Sequence, residues 1–389
     1  METAQLFFEL IRYAIKGDKL SDETMKGVSE EQLISLLNLS KEHDCAHLVS
    51  HALYQNNLIS KDQPIYDKFV YEQSLAVFRY ENINYELDRV CEFLEQNCIE
   101  HIPLKGSVIR SLYPEPWMRT SCDVDILVKR EDVDKTIKLF AEKYGCKIEH
   151  LYDYEVSIYT PSNVHVELHF GLVAERESQF VAQVLDDVWE LSTVREGRVY
   201  GRTMLDEMFY FYHISHMAKH FLASGCGVRP FIDLWLMDNA KTNNDQKRRE
   251  ILERGQLIKF YKEIKKVADA WMNNTTNDSL GREIEEYVLQ SGVYGTGENW
   301  VFYYQHKSGG KFRYALSRIF LSHQNLSRQF PILVKHKWLN PFFQIVRWFK
   351  ILFSGGAKRS VNELKEIKNR PNEQVKQREN MMKELGLWN

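Results

Sequence analysis

Apolar residues recur at steps of three and four over the first part of the chain, which is the spacing of amphipathic helices. The longest periodic stretch extends from Tyr66 to Gln96, with Phe69 and Phe78 among its apolar positions. Little in this part alternates between apolar and polar residues as a half-buried strand would. We therefore expect residues 1–98 to form an N-terminal helical region.

The pattern changes at about residue 99, where short apolar runs are separated by turn residues. Four strands are predicted, at 102–104, 124–128, 148–158 and 164–170. A short helix is predicted over 107–112, and an amphipathic helix over 131–144 ends at Gly145. This alternation predicts an α/β unit at residues 99–200.

Helical periodicity returns from residue 206 to about residue 290. We divide the remaining chain into a helical region, 201–298, and a C-terminal segment, 299–389, that ends in a charged helix over 363–385. The expected fold class is α+β, with a small α/β unit and its mixed sheet embedded between N-terminal and C-terminal helical regions.

Composition excludes several classes of protein. The chain has 389 residues, of which 44 % are hydrophobic and 27 % charged, so it is neither disordered nor fibrous. Its six cysteines are scattered without a C-x-x-C pair, which predicts reduced thiols and a cytoplasmic protein. We expect no export signal and no membrane span, and peripheral contact with a membrane stays open.

Charge is unevenly distributed along the chain. The whole chain carries a net charge of −3, yet residues 299–362 contain eleven Lys and Arg and no Asp or Glu, so the rest carries −14. Aromatic residues are interleaved with these cations. Three interpretations stay open: a surface for anionic membranes, a surface for nucleic acid, and a helical subdomain whose charges face the acidic remainder.

The motif Asp123-Val124-Asp125 stands at the start of a predicted strand. Side chains two residues apart on a strand project from the same face, so the two carboxylates converge. Like charges held this close repel one another, and a divalent cation relieves the repulsion. Mg²⁺ is suited to this role because it binds carboxylates and phosphates through hard oxygen atoms.

The surroundings strengthen this interpretation. Gly106 and Ser107 lie where a buried strand meets a helix, a position at which backbone N–H groups can receive a phosphate. The predicted strand 164–170 places Glu167 on its polar face as a third carboxylate. Lys105 and Arg119 are candidates for phosphate contacts, with ordinary ion pairs as the alternative.

These motifs resemble those of the polymerase-β-like nucleotidyltransferase superfamily, and more closely those of a bacterial branch of uncharacterised nucleotidyltransferases. The resemblance covers about residues 30–240. It rests on Leu104-Lys105-Gly106, on Arg119 followed by Asp123-Val124-Asp125-Ile126-Leu127-Val128, and on Glu167-Leu168-His169.

The resemblance implies transfer of a nucleoside monophosphate from a nucleoside triphosphate such as ATP to an unidentified acceptor, with release of pyrophosphate. The acceptor would be a small molecule, a polyanion or a protein. Mg²⁺ or Mn²⁺ would be the cofactor, held by catalytic side chains that also bind the metal: Asp123, Asp125 and Glu167. The nucleotide would be bound by Lys105, Gly106, Ser107 and Arg119.

Two features depart from the superfamily pattern. The interval from Ser107 to Asp123 is longer than in compact members, and the third acid is Glu rather than the commoner Asp. Weaker or differently specific catalysis is therefore expected. The alternative is a catalytically weak nucleotidyltransferase fold that serves as a nucleotide-binding or interaction module, although the presence of all three acids argues against it.

A helix downstream carries His213, His216 and His220 on one face, and Asp233 follows Arg229. One hypothesis is a His/Asp metal-dependent phosphohydrolase. A second is that these residues pack between helices, with Asp233 orienting Arg229. A third, supported by the resemblance, is that the helix histidines or Arg229 reach the nucleotide or the acceptor, with His169 as a further secondary candidate.

Overall fold

The computed structural model describes residues 2–152, 154–173, 178–240, 244–353 and 372–388. Its N-terminal part is helical, as predicted. The helices are α1 (Thr3–Lys16), α2 (Asp22–Met25), α3 (Glu30–Glu42), α4 (Ala46–Gln55) and α5 (Tyr66–Gln96). The predicted long helix is confirmed at both ends, although Phe78 is 67 % exposed rather than part of the core.

A mixed five-stranded sheet follows. Its strands are β1 (His101–Pro103), β2 (Asp123–Val128), β3 (Lys147–Leu151), β4 (Glu155–Tyr159) and β5 (His165–His169). The spatial order is β1-β2-β5-β4-β3, in which β2 and β5 are parallel and the other neighbouring pairs are antiparallel. The α+β class with a mixed sheet is therefore confirmed.

The connection from β1 to β2 begins with the short helix α6 (Gly106–Ile109) and continues through the 3-10 turns Arg110–Leu112 and Pro116–Met118. Helix α7 (Val133–Leu139) links β2 to β3 and widens into a π-helical turn, Phe140–Tyr144. Gly145 ends it with φ of 82°, a conformation that favours glycine.

The prediction of one strand over 148–158 is wrong, because the chain forms the antiparallel hairpin β3–β4 there. The N–H of Tyr152 donates to the carbonyl of Glu155 at 2.8 Å and closes the turn. No Gly or Pro occurs between residues 147 and 159, so the usual sequence signal of a turn is missing.

Sequence reasoning also missed a helix and a small hairpin after the sheet: α8 (Gln179–Leu185), β6 (Ser192–Val194) and β7 (Arg202–Met204). The carboxylate of Glu95 accepts N–H groups from 199–201, and the N–H of His101 donates to the carbonyl of Tyr200 at 3.1 Å. These bonds fix the hairpin beside β1.

Helices form most of the rest: α9 (Asp206–Ala223), α10 (Arg229–Asp238), α11 (Asp245–Arg254), α12 (Ile258–Asn273), α13 (Ser279–Ser291), α14 (Gly297–Lys307), α15 (Lys311–Ile319), α16 (His323–Gln329) and α17 (Asn340–Phe353). The predicted C-terminal helix is present as Asn372–Glu384, while its first part, 363–371, lies outside the described residues. In the described ranges, no helix combines the length and the apolar character needed to cross a bilayer. All six cysteines are free.

The sheet separates two apolar cores. One face of β2 directs Val124, Ile126 and Val128 into the smaller core, which the second half of α5 and helix α7 complete. The larger core lies among the helices and includes Leu127 from the other face of β2. Polar side chains can therefore be held on this second face between the sheet and the helices.

Candidate active site

The register of the two parallel strands brings the predicted acids together. Asp125 of β2 lies opposite Glu167 of β5, and Asp123 lies opposite His165. Since alternate residues share a face, all four side chains project from the side of the sheet away from the smaller core. His169 follows on the same face of β5.

Two basic side chains hold Asp125. Nζ of Lys105 lies 2.7 Å from its Oδ1, and Nε2 of His169 lies 2.9 Å from the same oxygen. Oε2 of Glu167 is 3.9 Å from that ammonium and 3.5 Å from that imidazole nitrogen. On its other side, Nδ1 of His169 lies 3.4 Å from Oε2 of Glu155. The site is thus a network of alternating acids and bases.

The two aspartates titrate in opposite directions. Burial, then the charges of Asp125 and Glu167, raises the pKa of Asp123 to about 6. Burial also favours the neutral form of Asp125, but Lys105 and His169 outweigh it and lower the pKa of Asp125 far below its ordinary value. Asp123 is therefore the carboxylate whose charge is least compensated.

The pKa values of His169 and Glu155 are raised. Burial opposes the charged form of His169, yet its bonds to Asp125 and Glu167 raise its pKa above the ordinary value. Burial raises the pKa of Glu155. Several perturbed pKa values within one cluster are typical of functional sites.

The turn after β1 positions Lys105. The N–H of Leu104 donates to the carbonyl of Asp125 at 3.0 Å, so the turn begins beside β2. Lys105 then adopts φ of 46°, which residues other than glycine rarely adopt. Gly106 is buried, and a Cβ there would lie 3.4 Å from Cβ of Ser121. Ser107 follows in the first turn of α6.

Arg119 lies in a separate buried cluster. Its Nε is 2.8 Å from Oδ1 of Asp233, to which the hydroxyl of Tyr113 donates at 2.7 Å. Burial raises the pKa of Asp233, but Arg119 outweighs it, and the resulting pKa is below the ordinary value. Arg119 therefore forms an ion pair with Asp233 of α10. An ion pair was the alternative to the predicted phosphate contact.

The hypothesis that Asp233 orients Arg229 is wrong, because the two side chains bind other partners. Nη1 of Arg229 instead bonds Asp44 and lies 3.3 Å from the carbonyl of Thr120. The hydroxyl of Thr120 also donates to Asp44, at 2.9 Å. Arg229 therefore fixes the segment that leads into β2, and it does so from the first turn of α10.

Helix α9 directs a row of side chains toward the acids. Tyr212, His216 and His220 follow one another at steps of four, and Nε2 of His216 lies 3.2 Å from Nε2 of His220. Burial, then Lys219 and Lys105, lowers the pKa of His220 to about 4. Burial likewise lowers the pKa of His216 well below the ordinary value. Both imidazoles are neutral at pH 7.

The family of the chain can now be stated. A family model described as uncharacterised nucleotidyltransferase matches residues 29–273, which is more than half of the chain. The chain belongs to this family. No curated protein and no solved structure matches it significantly. The matched region includes the whole sheet and α9, and it ends before the basic C-terminal segment.

The chain has two side-chain groups suited to a metal among its described residues. They are Asp123, His165 and Glu167, and Asp125, Glu167 and His169; in each, the donor atoms lie within 4.8 Å of one another. Carboxylate oxygens are the ligands that Mg²⁺ and Mn²⁺ prefer. The carboxylate of Asp123, whose negative charge is the least balanced by neighbouring basic groups, is also suited to bind a cation.

Among the described residues, the histidines of α9 do not form such a group with Asp233. Nε2 of His213 donates to the carbonyl of Pro230 at 3.2 Å, and Asp233 is bound by Arg119. A phosphohydrolase site needs several of these side chains around one ion. The geometry gives this hypothesis no support in the part of the chain that the structure describes.

Sequence reasoning missed several side chains of the candidate site. Ser157 and Glu155 of β4 lie opposite Glu167 and His169, and Tyr212 begins the row on α9. A signal for the first two was present, because polar residues alternate with Val156 and Ile158 along β4. It was hidden by the prediction of one continuous strand.

Proposed function

We propose that the protein is a metal-dependent nucleotidyltransferase with its catalytic unit within residues 99–200. An oxygen of the acceptor attacks the α-phosphorus of a nucleoside triphosphate, a new P–O bond forms, and the bond to the β-phosphate breaks to release pyrophosphate. The observation that carries the proposal is the β2–β5 register, which places Asp125 opposite Glu167 and beside Asp123.

We propose Mg²⁺ or Mn²⁺ as the metal cofactor. Asp123, Asp125 and Glu167 would hold it, and it would supply charge stabilisation for the phosphates and acidify the acceptor hydroxyl. One oxygen of Asp125 already accepts bonds from Lys105 and His169, which leaves its second oxygen for other partners. Asp123 must be deprotonated to take part, and its pKa of about 6 permits this at neutral pH.

Lys105, Gly106 and Ser107 are the proposed nucleotide-binding residues. The ammonium of Lys105 is 24 % exposed and lies at the edge of the acid cluster, where it can neutralise phosphate oxygens as well as Asp125. The small side chains that follow permit close approach to the backbone. In this proposal Arg119 supports the nucleotide site indirectly. Its ion pair with Asp233 positions the segment that leads into β2.

The neutral histidines of α9 lie near the acid network in this proposal. His216 and His220 can donate hydrogen bonds to the nucleotide or to the acceptor without adding fixed charge. The charge of Lys105 contributes to the pKa of both, which supports their position beside the acid network. The six free cysteines support a cytoplasmic location, where thiols stay reduced.

The proposal is tested by incubating the full chain with each labelled nucleoside triphosphate, Mg²⁺ or Mn²⁺, and a cell extract. A labelled small molecule, polyanion or protein, together with pyrophosphate, is expected. Asp125→Asn should remove labelling, whereas Asp134→Asn, an exposed acid on α7, should not. Equal labelling by both variants would refute the catalytic assignment. Rates should fall on the order of 10² to 10⁴ if Asp125 acts as a preorganised electrostatic group.

A second candidate is a nucleotide-binding module without transfer activity. The observation that favours it is Lys105, whose ammonium already satisfies part of the charge of Asp125. This candidate predicts saturable nucleotide binding that depends on Lys105, with no pyrophosphate released in any extract. Metal-dependent release of pyrophosphate rules it out.

A further inference from the structure

Helix α17 turns polar side chains inward. Gln344 and Arg347 are each 9 % exposed. Nε2 of Gln344 donates to the carbonyl of Leu321 at 2.7 Å, and the guanidinium of Arg347 donates to the carbonyls of Arg318 and Ile319 at 2.9 and 3.1 Å. These bonds satisfy the last carbonyls of α15 and attach α17 to it through polar contacts.

The opposite face of α17 is apolar and open. Phe342, Ile345 and Phe349 are 59, 48 and 56 % exposed, and their spacing of three and four places them on one side of the helix. A surface helix in water normally shows the reverse arrangement, with its apolar face toward the protein. The exposed apolar side chains of α17 are therefore available for contact with a surface outside the protein.

Exposed apolar side chains also occur next to α17. The indole of Trp348 donates to the carbonyl of Ile319 at 2.9 Å and contacts the ring of Phe320 at 5.5 Å, so α17 lies against the end of α15. Large apolar side chains are exposed on α15 and on the turns that lead to α17: Phe312, Leu316, Ile319, Phe320, Ile332, Val334 and Trp338. We call these residues, with the three of α17, the apolar face.

Cations border the apolar face. Arg313, Lys335, Lys337 and Lys350 are exposed, and no acidic residue occurs anywhere between positions 299 and 362. Lys358 and Arg359 belong to the same basic segment but lie outside the described residues. A surface that combines exposed apolar side chains with positive charge is complementary to a surface that is both hydrophobic and anionic.

We propose that this face binds the surface of an anionic phospholipid bilayer. Helix α17 lies in the plane of the interface, its apolar side chains enter the acyl boundary, and the surrounding cations contact the lipid phosphates. Trp338, which is 77 % exposed, suits the boundary because its ring is apolar and its N–H is polar.

Aliphatic side chains favour a bilayer over nucleic acid. Single-stranded nucleic acid binds to cationic surfaces by stacking bases on aromatic rings. Half of the ten residues of the apolar face are aliphatic and have no ring on which a base can stack: Leu316, Ile319, Ile332, Val334 and Ile345. The face also lies outside the matched family region, residues 29–273, so the inference is independent of the transfer reaction.

The test uses the full chain and flotation with two vesicles: phosphatidylcholine alone, and phosphatidylcholine with an equal share of phosphatidylserine. Binding to the anionic vesicle alone, reduced by high salt, is expected. Lys335→Glu with Lys337→Glu should weaken this binding about tenfold or more. Phe342→Ser with Phe349→Ser should also weaken it. The matched controls are Lys138→Glu on α7 and Phe78→Ser on α5, both at exposed positions.

Three results would overturn the inference. The first is equal binding to both vesicles or to neither, which needs only the unmodified protein and so does not depend on variants that fold. The second is a dimer that Phe342→Ser with Phe349→Ser converts to a monomer, since the face would then cover a second copy. The third is binding of a single-stranded oligonucleotide that the same variants abolish while vesicles stay unbound.

Discussion

The ammonium of Lys105 lies 2.7 Å from Oδ1 of Asp125, the oxygen that also accepts a bond from His169. Two basic groups on one carboxylate oxygen explain why the pKa of Asp125 is depressed although the residue is buried. They also leave Asp123 as the acid with the weakest compensation. The acid cluster is therefore asymmetric before any substrate binds.

Replacing Lys105 with Met should raise the Michaelis constant for the nucleotide by about ten- to a hundredfold, because a charge-assisted contact is lost. Lys105→Arg keeps the charge and should retain most of the affinity. Steady-state kinetics and nucleotide titration measure both effects. If Lys105 instead blocks the metal site, the Met variant would bind Mn²⁺ more tightly than the unmodified protein does.

Asp123→Asn should stabilise the metal-free protein at pH 8 by about 1–2 kcal/mol. The folded-state pKa of Asp123, about 6, lies above the ordinary value of 3.8, so the folded protein holds this proton more tightly than the unfolded chain. The ionised carboxylate therefore costs stability. The cost develops between about pH 4 and about pH 6 and is complete above that range, so the difference between the proteins should vanish below about pH 4. Urea unfolding in a chelator across this range measures it.

Asp134→Asn provides the comparison for that experiment, because Asp134 is exposed on α7 and should show no such dependence on pH. Added Mg²⁺ should stabilise the unmodified protein more than Asp123→Asn. A variant that is less stable than the unmodified protein at pH 8 would show that Asp123 is already compensated by its neighbours.

Arg119→Met should cost about 3–5 kcal/mol of unfolding free energy, because it leaves the carboxylate of Asp233 buried without its cation. Tyr113→Phe removes one bond to the same carboxylate and should cost about 1–2 kcal/mol. Equilibrium unfolding in urea measures both. The double variant Arg119→Met with Asp233→Leu should lose less than Arg119→Met alone, and a larger loss would mean that the pair has other essential contacts.

His216→Ala and His220→Ala should each reduce nucleotide transfer about tenfold, because each removes a side chain that is proposed to donate a hydrogen bond to a substrate. A change in the Michaelis constant of the nucleotide or of the acceptor would show which substrate they contact. His150→Ala on the exposed edge strand β3 is the control. Unchanged kinetics in both variants would remove the α9 face from the site.

The three acids could be located from sequence because strand alternation is a local property. Asp123, Asp125 and Glu167 follow from the pattern of Val and Leu beside them, and the register of β2 and β5 completes the geometry. The ion pair of Arg119 with Asp233 joins residues 114 positions apart, and no local pattern encodes such a pairing. The inward polar face of α17 likewise depends on the carbonyls of α15, which sequence periodicity does not reveal.

Helix α5 belongs to both apolar cores. Phe69, near its start, packs in the larger core, while Ile83, Leu87 and Val90 complete the smaller core beneath the sheet. A fragment that began at residue 99 would keep every proposed catalytic acid and yet leave the underside of β2 and β5 in water. The proposed chemistry is thus not separable from the N-terminal helices, and a minimal active fragment must include α5.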